Sequence, residues 1–336
     1  MKVLLTGPFG NVGLSTLKEL IKRNYDVRVF DLKNKNNRRI ALKFRGQIET
    51  VWGDIRNSKN VEKAVNGCDV VIHVAAIIPP LADRKPKLAE AVNVGGTLNI
   101  INAMKKQPHK PKLIFTSSIA IYGDRLNNPL IKPSDPINPN PNDEYAKQKV
   151  KCEEIIRNSG LEWTICRLTY IVSTKKLQLD PLMFEMPLDT YIEICDTKDV
   201  GFALAAAVEN PEVWGETFHI AGGDRCRISY RDYLNEMLDL FGMGYEPLPV
   251  EAFSTRGFHC GFMTTEKSQA LLHYQRHTID DYFLAVRKKV AFSRLFVLLF
   301  KPLARKYLLS KSHYYKEYIK LVHPKSFKLT KINSKF

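Results

Sequence analysis

Three glycines at the start of the chain constrain it more than any other feature. In "TGPFGNVG" (6–13), Gly7, Gly10 and Gly13 fall between an apolar run, "KVLLTG" (2–7), and an amphipathic helical pattern near 14–24. Gly7 permits the tight turn, Gly10 lets the backbone approach a pyrophosphate, and Gly13 allows close helix–strand packing. The helix start adds free N–H groups and the positive end of its dipole, which suit a phosphate. Phe9, Asn11 and Val12 share this loop and first turn, so residues 7–13 are expected to hold a dinucleotide.

The rest of the first half repeats the pattern. "DVRVFD" (26–31), "IETVWGD" (48–54), "DVVIHVAA" (69–76), "KLIFTSS" (112–118) and "EWTICRL" (162–168) are continuous apolar runs, as strands covered on both faces require. Helical patterns near 60–66, 88–106 and 143–159 separate them, and a helix at 197–210 leads into a seventh strand, "TFHIAG" (217–222). The expected fold is α/β, a doubly wound parallel Rossmann sheet with right-handed crossovers. Past residue 170 the rhythm becomes irregular, with helices expected at 230–241, 266–273 and 278–300. The expected division is a dinucleotide-binding Rossmann domain over 1–170, joined by elements near 190–222, a smaller substrate lobe over 171–286, and a basic amphipathic helical tail over 287–336.

Charge follows that division. The chain carries +16, but residues 287–336 hold fourteen Lys or Arg and one acidic residue, Glu317, a net +13 that leaves +3 for the body. The basic residues are interleaved with Leu, Phe and Tyr and form no base-reading motif, so no nucleic-acid partner is expected. A hydrophobic content of 44% excludes wholesale disorder. No apolar stretch approaches the length of about 18 residues needed to span a bilayer; "LFVLLF" in the tail has six. "MKVLLTG" carries no secretory signal, and six scattered cysteines form no Cys-x-x-Cys pair; reduced thiols and a cytoplasmic location are expected. His273 and His277 in "HYQRH" stand one helical turn apart without a third ligand, so no metal is expected.

The strand ends carry the chemistry. Asp31 ends the second strand, where a carboxylate accepts hydrogen bonds from an adenosine ribose and repels a 2′-phosphate, so NAD is the expected cofactor. Lys33, Lys35, Arg38 and Arg39 follow, either as a solvated charged loop or as a basic loop reaching that phosphate. Asp54 and Ile55 are placed to meet the adenine; alternatively Asp54 caps the next turn. In "NDEYAKQKVKCEE" (142–154), Tyr145 and Lys149 lie one turn apart on a single helix face. "IFTSSIAIYG" brings hydroxyls to the carboxyl edge of the fifth strand, where an open α/β sheet binds its ligand. A phenol near an ammonium forms its phenolate more readily, and a serine orients a substrate alcohol or carbonyl during hydride transfer. The proline-rich "NNPLIKPSDPINPNPNDE" (127–144), just before this helix, is expected to shape the substrate site.

The glycine pattern, Asp31, Asp54, "HVAA", "NVGGTLN" (93–99), "TSSIAIYG" and "YAKQK" resemble the extended short-chain dehydrogenase/reductases. More narrowly, they resemble the NAD-dependent epimerase/dehydratase family, over about residues 1–280. The resemblance implies that Ser118, four before Tyr122 of the Tyr-Gly pair, is the family hydroxyl. Tyr145 is then the acid/base and Lys149 its ribose-binding, pKa-lowering partner. Ala75 and Ala76 would line the nicotinamide side, and Asn93 would stiffen the central helix or hold a water near Lys149. A homodimer through the helices at 88–106 and 143–159 is likewise implied.

Three departures bear on the small-molecule substrate. Ile119 and Ala120 stand where the sugar-nucleotide dehydratases carry Asp-Glu, and neither can move a proton, so dehydration is not expected. "RLTY" puts Tyr170 where the nucleotide-sugar epimerases have an Asn, and "IVSTKK" (171–176) replaces their Tyr-Gly-Pro. The segment between 170 and 195 is also short for a clamp on uridine diphosphate. "IIPPL" (77–81) and "PLMFEMPL" (181–188) either build a more hydrophobic pocket, as in hydroxysteroid-type enzymes, or pack the lobe.

An NAD-dependent oxidoreductase or epimerase acting on a secondary alcohol or ketone is the leading expectation, because Ser118, Tyr145 and Lys149 are all present. The alternatives are a nucleotide-sugar 4-epimerase and a non-catalytic NAD-binding regulator. In the tail, Phe292, Leu295, Phe296 and Leu299 recur at helical spacing beside Arg294 and Lys301, with Pro302 to break or restart the helix. Leu303, Tyr307, Tyr314, Tyr315 and Tyr318 follow. This segment either lies on an anionic membrane surface or packs on the body or across a dimer.

Overall fold

A computed structural model describes residues 1–175, 177 and 181–322. β1 (Lys2–Thr6) runs through the glycine turn into α1 (Asn11–Lys22), and β2 (Asp26–Asp31) returns parallel to β1. Next come α2 (Lys35–Ala41), β3 (Glu49–Trp52), α3 (Ser58–Val65), β4 (Val70–His73), the short α4 (Leu81–Arg84) and the long α5 (Pro86–Lys105). β5 (Lys112–Ser118), β6 (Leu130–Ile131), α6 (Glu144–Arg157) and β7 (Trp163–Leu168) complete the first half. The second half holds β8 (Tyr170–Val172), β9 (Tyr191–Asp196), α7 (Thr197–Ala207), β10 (Thr217–Ile220), β11 (Arg227–Ser229) and α8 (Tyr230–Leu240). β12 (Phe262–Met263), α9 (Glu266–Leu272), α10 (Ile279–Leu299), α11 (Lys301–Leu309) and α12 (His313–Val322) follow.

The seven expected strands form one parallel sheet in the order β10-β7-β5-β4-β1-β2-β3. Alternate side chains of a strand face opposite ways, and both faces here are covered. Val3 and Leu5 of β1 pack with Leu17 and Leu20 of α1 and Ala203 and Leu204 of α7. Leu4, between them, packs with Val61 of α3, Ile100 of α5 and Ile156 of α6. That double coverage is why these strands read as continuous apolar runs. The strand order reverses between β1 and β4, so a crevice opens at their carboxyl ends.

The basic stretch after Asp31, expected as a loop, is the helix α2 in this structure. Asn34 caps it by accepting a hydrogen bond from the Asn37 N–H at 2.8 Å. None of its residues is buried, so no apolar periodicity marked it in the sequence. The two histidines of "HYQRH" go separate ways. His273 takes a left-handed conformation (φ 49°) that ends α9, and His277 Nδ1 lies 2.6 Å from Asp199.

A second core gathers Phe184, Ile192 and Ile194 with Tyr230, Tyr233, Leu234 and Leu238 of α8. β8, β9 and β11 make a small sheet beside it, and β6 of the proline-rich loop pairs with β12. The tail is built partly into this core. Val286 and Val290 of α10 and Leu308 and Leu309 of α11 are buried there. Ser312 Oγ donates to the Ala252 carbonyl at 2.6 Å, and Tyr314 Oη donates to Glu185 at 2.7 Å. Tyr314 and Tyr315 pack against the core, so these two residues follow the packing alternative. Pro302 restarts the helix, in the first turn of α11. Among the described residues no helix is long and apolar enough to cross a membrane. Lys176 of "IVSTKK", residues 178–180 of the short clamp segment, and residues 323–336 of the tail lie outside the described residues.

Candidate active site

The carboxyl ends of the strands open into a cleft of about 1620 Å³ lined by every expected site residue but one. Gly7, Phe9, Gly10, Asn11, Val12 and Gly13 line it from the first turn, and Asp31, Asp54, Ile55, Ala75 and Ala76 from the ends of β2, β3 and β4. Ser118, Tyr145 and Lys149 line it from β5 and α6. Asn140, Asn142 and Asp143, at the end of the proline-rich loop, border it as well.

The three glycines have three different reasons. Gly7 has φ +66°, a left-handed conformation, and a Cβ there would lie 2.8 Å from Ala75 Cα across the crevice. A Cβ on Gly13 would lie 2.0 Å from the Gly7 carbonyl oxygen, so the fold itself demands glycine there. Gly10 differs: its φ is −71°, and an added Cβ would meet nothing nearer than 3.4 Å. Packing leaves room for a side chain at Gly10, so the space it keeps clear faces the cleft. No side chain of the described residues caps α1 and no acidic residue sits in its first turn, which leaves backbone N–H groups and dipole to an anion. This cradle fits the pyrophosphate of a dinucleotide.

Asp31 is fixed at the cleft wall. Its Oδ1 accepts a hydrogen bond from the Leu32 N–H at 2.7 Å. Burial pushes the Asp31 pKa up, while hydrogen bonds from Leu32, Phe9 and Asn37 oppose that shift. Asn37 and Leu32 join the cleft wall, contacts that depend on α2 and carry no sequence signal of their own. Lys33, Lys35, Arg38 and Arg39 are absent from that wall. Asp54 lines the cleft but spends its carboxylate on Arg56, accepting from the Arg56 N–H at 2.9 Å and from its guanidinium at 2.5 Å. The Arg56 hydrogen bond holds its pKa below the usual carboxylate range.

Asn93 is the exception. It is buried behind the lining, where Oδ1 accepts from the Ile77 N–H at 2.8 Å and Nδ2 donates to the Ile77 carbonyl at 2.9 Å. The same Nδ2 donates to Gln148 Oε1 at 2.7 Å. Asn93 therefore clamps the loop after β4 onto α5 and α6, behind the cleft wall rather than in it, in keeping with the stiffening alternative. Of the open alternatives, 77–81 lines the cleft throughout, whereas 181–188 divides: Pro181, Leu182, Met183 and Met186 line it and Phe184 enters the lobe core.

Tyr145 and Lys149 share one face of α6, whose start Asp143 caps by accepting from the Ala146 N–H at 2.8 Å. Lys149 is buried; its Nζ donates to the Thr116 carbonyl at 2.6 Å and lies 4.5 Å from the Phe115 ring centre and 5.8 Å from that of Tyr145. Burial lowers the Lys149 pKa to about 8, opposed by Cys152 and Glu153. Burial also raises the Tyr145 pKa, opposed by its hydrogen bond with Ser118. The expected lowering of the phenol by the lysine is not what sets it here; desolvation dominates. Ser118 Oγ also accepts from the Ala120 N–H at 3.2 Å, which fixes the hydroxyl at the strand end.

The far wall of the cleft is apolar and aromatic. Tyr170 of β8, Tyr230, Tyr233, Met237 and Phe241 in and beside α8, and Tyr282 of α10 line it. The α8 contribution lay in "YRDYLNEMLDLF", an amphipathic stripe whose partner the sequence did not reveal. Two arginines, Arg84 and Arg256, and His259 also border the cleft.

A family model for the NAD dependent epimerase/dehydratase family matches residues 3–181, more than half of the chain and every expected site residue. The chain belongs to the NAD-dependent epimerase/dehydratase family. Within it, the chain is 36% identical over 163 residues to N-acetyl-alpha-D-glucosaminyl-diphospho-ditrans,octacis-undecaprenol 4-epimerase of Escherichia coli O157:H7, covering 48% of this chain and 43% of that one. It is 31% identical over 160 residues to a 3 beta-hydroxysteroid dehydrogenase/Delta 5→4-isomerase of Mycobacterium tuberculosis, covering 46% and 42%. The chain thus spans less than half the length of these curated relatives. The epimerase/dehydratase fold extends further. UDP-glucose 4-epimerase of Thermotoga maritima superposes with a TM-score of 0.70 at 19% identity over 88% of this chain and 100% of that one. UDP-glucuronic acid 4-epimerase of Bacillus cereus superposes at 0.72 and 20% identity, over 87% and 99%.

Proposed function

We propose that the protein is an NAD-dependent oxidoreductase that moves a hydride between nicotinamide and a lipophilic secondary alcohol or ketone. The observation that carries this reading is the hydrogen-bonded Ser118–Tyr145 pair, with Lys149 on the same helix face, in one cleft with the glycine cradle. Gly10 and the α1 N-terminus would hold the pyrophosphate, Asp31 a ribose, and Ala75 and Ala76 the nicotinamide side. The dinucleotide supplies the hydride acceptor or donor. Ser118 holds the substrate oxygen; Tyr145 takes its proton when an alcohol is oxidised and returns one when a ketone is reduced. The aromatic and thioether wall at Tyr170, Met183, Met237 and Phe241 supports an apolar substrate.

A second reading, a nucleotide-sugar 4-epimerase, is favoured by the likeness of the matched half to UDP-glucose 4-epimerase of Lactobacillus helveticus, 31% identical over 176 residues. Tyr170 in place of the expected Asn argues against a UDP-sugar. The leading proposal includes a Rossmann domain over 1–170 with elements near 190–222, a lobe over 171–286 and a tail beyond. It also includes a homodimer through α5 and α6, a cytoplasmic setting, and peripheral membrane contact by the tail.

Replacing Tyr145 with Phe tests the core of the proposal. NAD(H) affinity should stay within about twofold while turnover of an apolar ketone falls by about 10²- to 10⁴-fold, since only the proton-transfer group is lost. Unchanged turnover would remove Tyr145 from catalysis, and turnover of UDP-glucose exceeding that of apolar ketones would favour the second reading.

A further inference from the structure

We propose that the junction of α10 and α11 is a docking face for an anionic lipid bilayer. Phe292, Leu295, Phe296, Leu299, Leu303 and Tyr307 all face solvent, and Phe292 and Leu299 are 75% and 76% exposed. Phe292, Leu295, Phe296 and Leu299 stand at i, i+3, i+4 and i+7 of α10, one helical stripe that faces solvent, and Leu303 and Tyr307 of α11 add exposed side chains just past the junction. Single exposed leucines are ordinary on a soluble surface; a run of large apolar residues rimmed by charge marks an interaction site.

The stripe is held in place by bonds on its other side. Arg294 donates to the Asp239 and Leu240 carbonyls at 2.5 and 3.1 Å, and Arg305 donates to the Pro247 carbonyl at 2.6 Å. Val290 and Leu308, on either side of the junction, are buried in the lobe core. The exposed stripe is thus presented by a fixed scaffold.

Charge identifies the occupant. Lys288, Lys289, Lys301 and Lys306 surround the stripe and form no ion pair with a carboxylate among the described residues. Glu317 is the one acidic residue after Asp281 in the sequence. A second copy of the chain would set this cationic surface against its own like, which electrostatics opposes. An anionic interface satisfies both halves: apolar side chains enter the headgroup boundary while lysines meet lipid phosphates. No described helix can cross the bilayer, so the junction lies in its surface.

The face also adjoins the cleft. Met237, Phe241 and Tyr282 line the cleft from α8 and α10, and the next residue, Gly242, sits against Arg294 and Leu298, where an added Cβ would lie 2.9 and 3.3 Å away. Docking therefore brings the apolar wall of the cleft close to the lipid phase; that consequence for substrate supply rests on the oxidoreductase reading, whereas docking itself does not.

The test uses the full chain, because α11 and α12 belong to the lobe core and truncation would strip it. Sedimentation with vesicles of phosphatidylcholine alone is compared with vesicles of equimolar phosphatidylcholine and phosphatidylglycerol at low salt. The protein should pellet with the second and not the first, and Leu295→Glu combined with Leu299→Glu should weaken binding by at least about a hundredfold without lowering the melting temperature. Lys288→Glu with Lys289→Glu should weaken it too and flatten its salt dependence. Failure of the unaltered protein to pellet, or full binding by the Leu295/Leu299 variant, overturns the proposal. So does a change from dimer to monomer in that variant by sedimentation velocity, which would give the face to a second copy. None of these readouts involves catalysis, so they stand or fall independently of Tyr145.

Discussion

The Lys149 ammonium lies 5.8 Å from the centre of the Tyr145 ring and gives its short hydrogen bond to the Thr116 carbonyl, 2.6 Å away. The two side chains share a helix face but not a hydrogen bond. Burial acts on both and in opposite senses, lowering the pKa of the cation and raising that of the phenol. At neutral pH the pair accordingly rests as phenol and ammonium, the state from which the proposed ketone reduction would draw its proton.

This pairing sets a pH profile. The phenolate–ammonium state and the phenol–amine state hold the same number of protons, so the first proton leaves the pair in one macroscopic step. That step should fall near the Lys149 value of about 8. Log kcat/KM for alcohol oxidation should rise with pH up to about 8 and level off above it, whereas ketone reduction should be flat below that point and fall above it. Lys149→Met should move the break upward, to the pKa of the phenol alone. A rate profile in both directions checks this, and an unshifted break in Lys149→Met would show that the lysine does not set it.

The glycines should separate folding from binding. Gly13→Ala forces a Cβ against the Gly7 carbonyl at 2.0 Å and should cost about 1–3 kcal/mol or more of stability. Gly10→Ala has room in the fold and a compatible φ of −71°, so stability should hold or rise by about 0.4–1 kcal/mol. Its dinucleotide affinity should nevertheless drop at least about tenfold, because the backbone can no longer approach the phosphates. Thermal melts and calorimetric titration measure the two effects, and normal affinity in Gly10→Ala would refute the cradle.

Asp31 should confer preference for NAD(H) over NADP(H). It lines the cleft, while the four cations that follow it do not. Asp31→Ala should narrow the affinity gap by about 1–3 kcal/mol by removing ribose hydrogen bonds. Titration of both cofactors into both proteins decides it, and an unaltered protein that prefers NADP(H) would contradict the assignment.

What the sequence determined by itself was whatever local periodicity and backbone geometry encode. Seven strands could be read because each apolar run is covered on both faces, and Tyr145 and Lys149 could be placed together because four residues make about one helical turn. Gly13 was legible because its clash with the Gly7 carbonyl lies within one short turn, and so was the turn at Gly7, though not its close approach to Ala75. Tertiary structure decided everything that depends on residues distant in the chain. The helix α2 has no buried face, so nothing periodic announced it, and it brings Asn37 to the cleft. Asn93 proved to be a clamp on Ile77 and Gln148, which only the meeting of α5, α6 and the loop after β4 could reveal. The amphipathic tail was equally compatible with packing and with lipid; the fold buries Val290 and Leu308 and leaves Phe292 and Leu299 exposed. The pKa of Lys149 likewise follows from burial beneath neighbours such as Phe115, because desolvation sums over every group that displaces water, wherever it lies in the sequence.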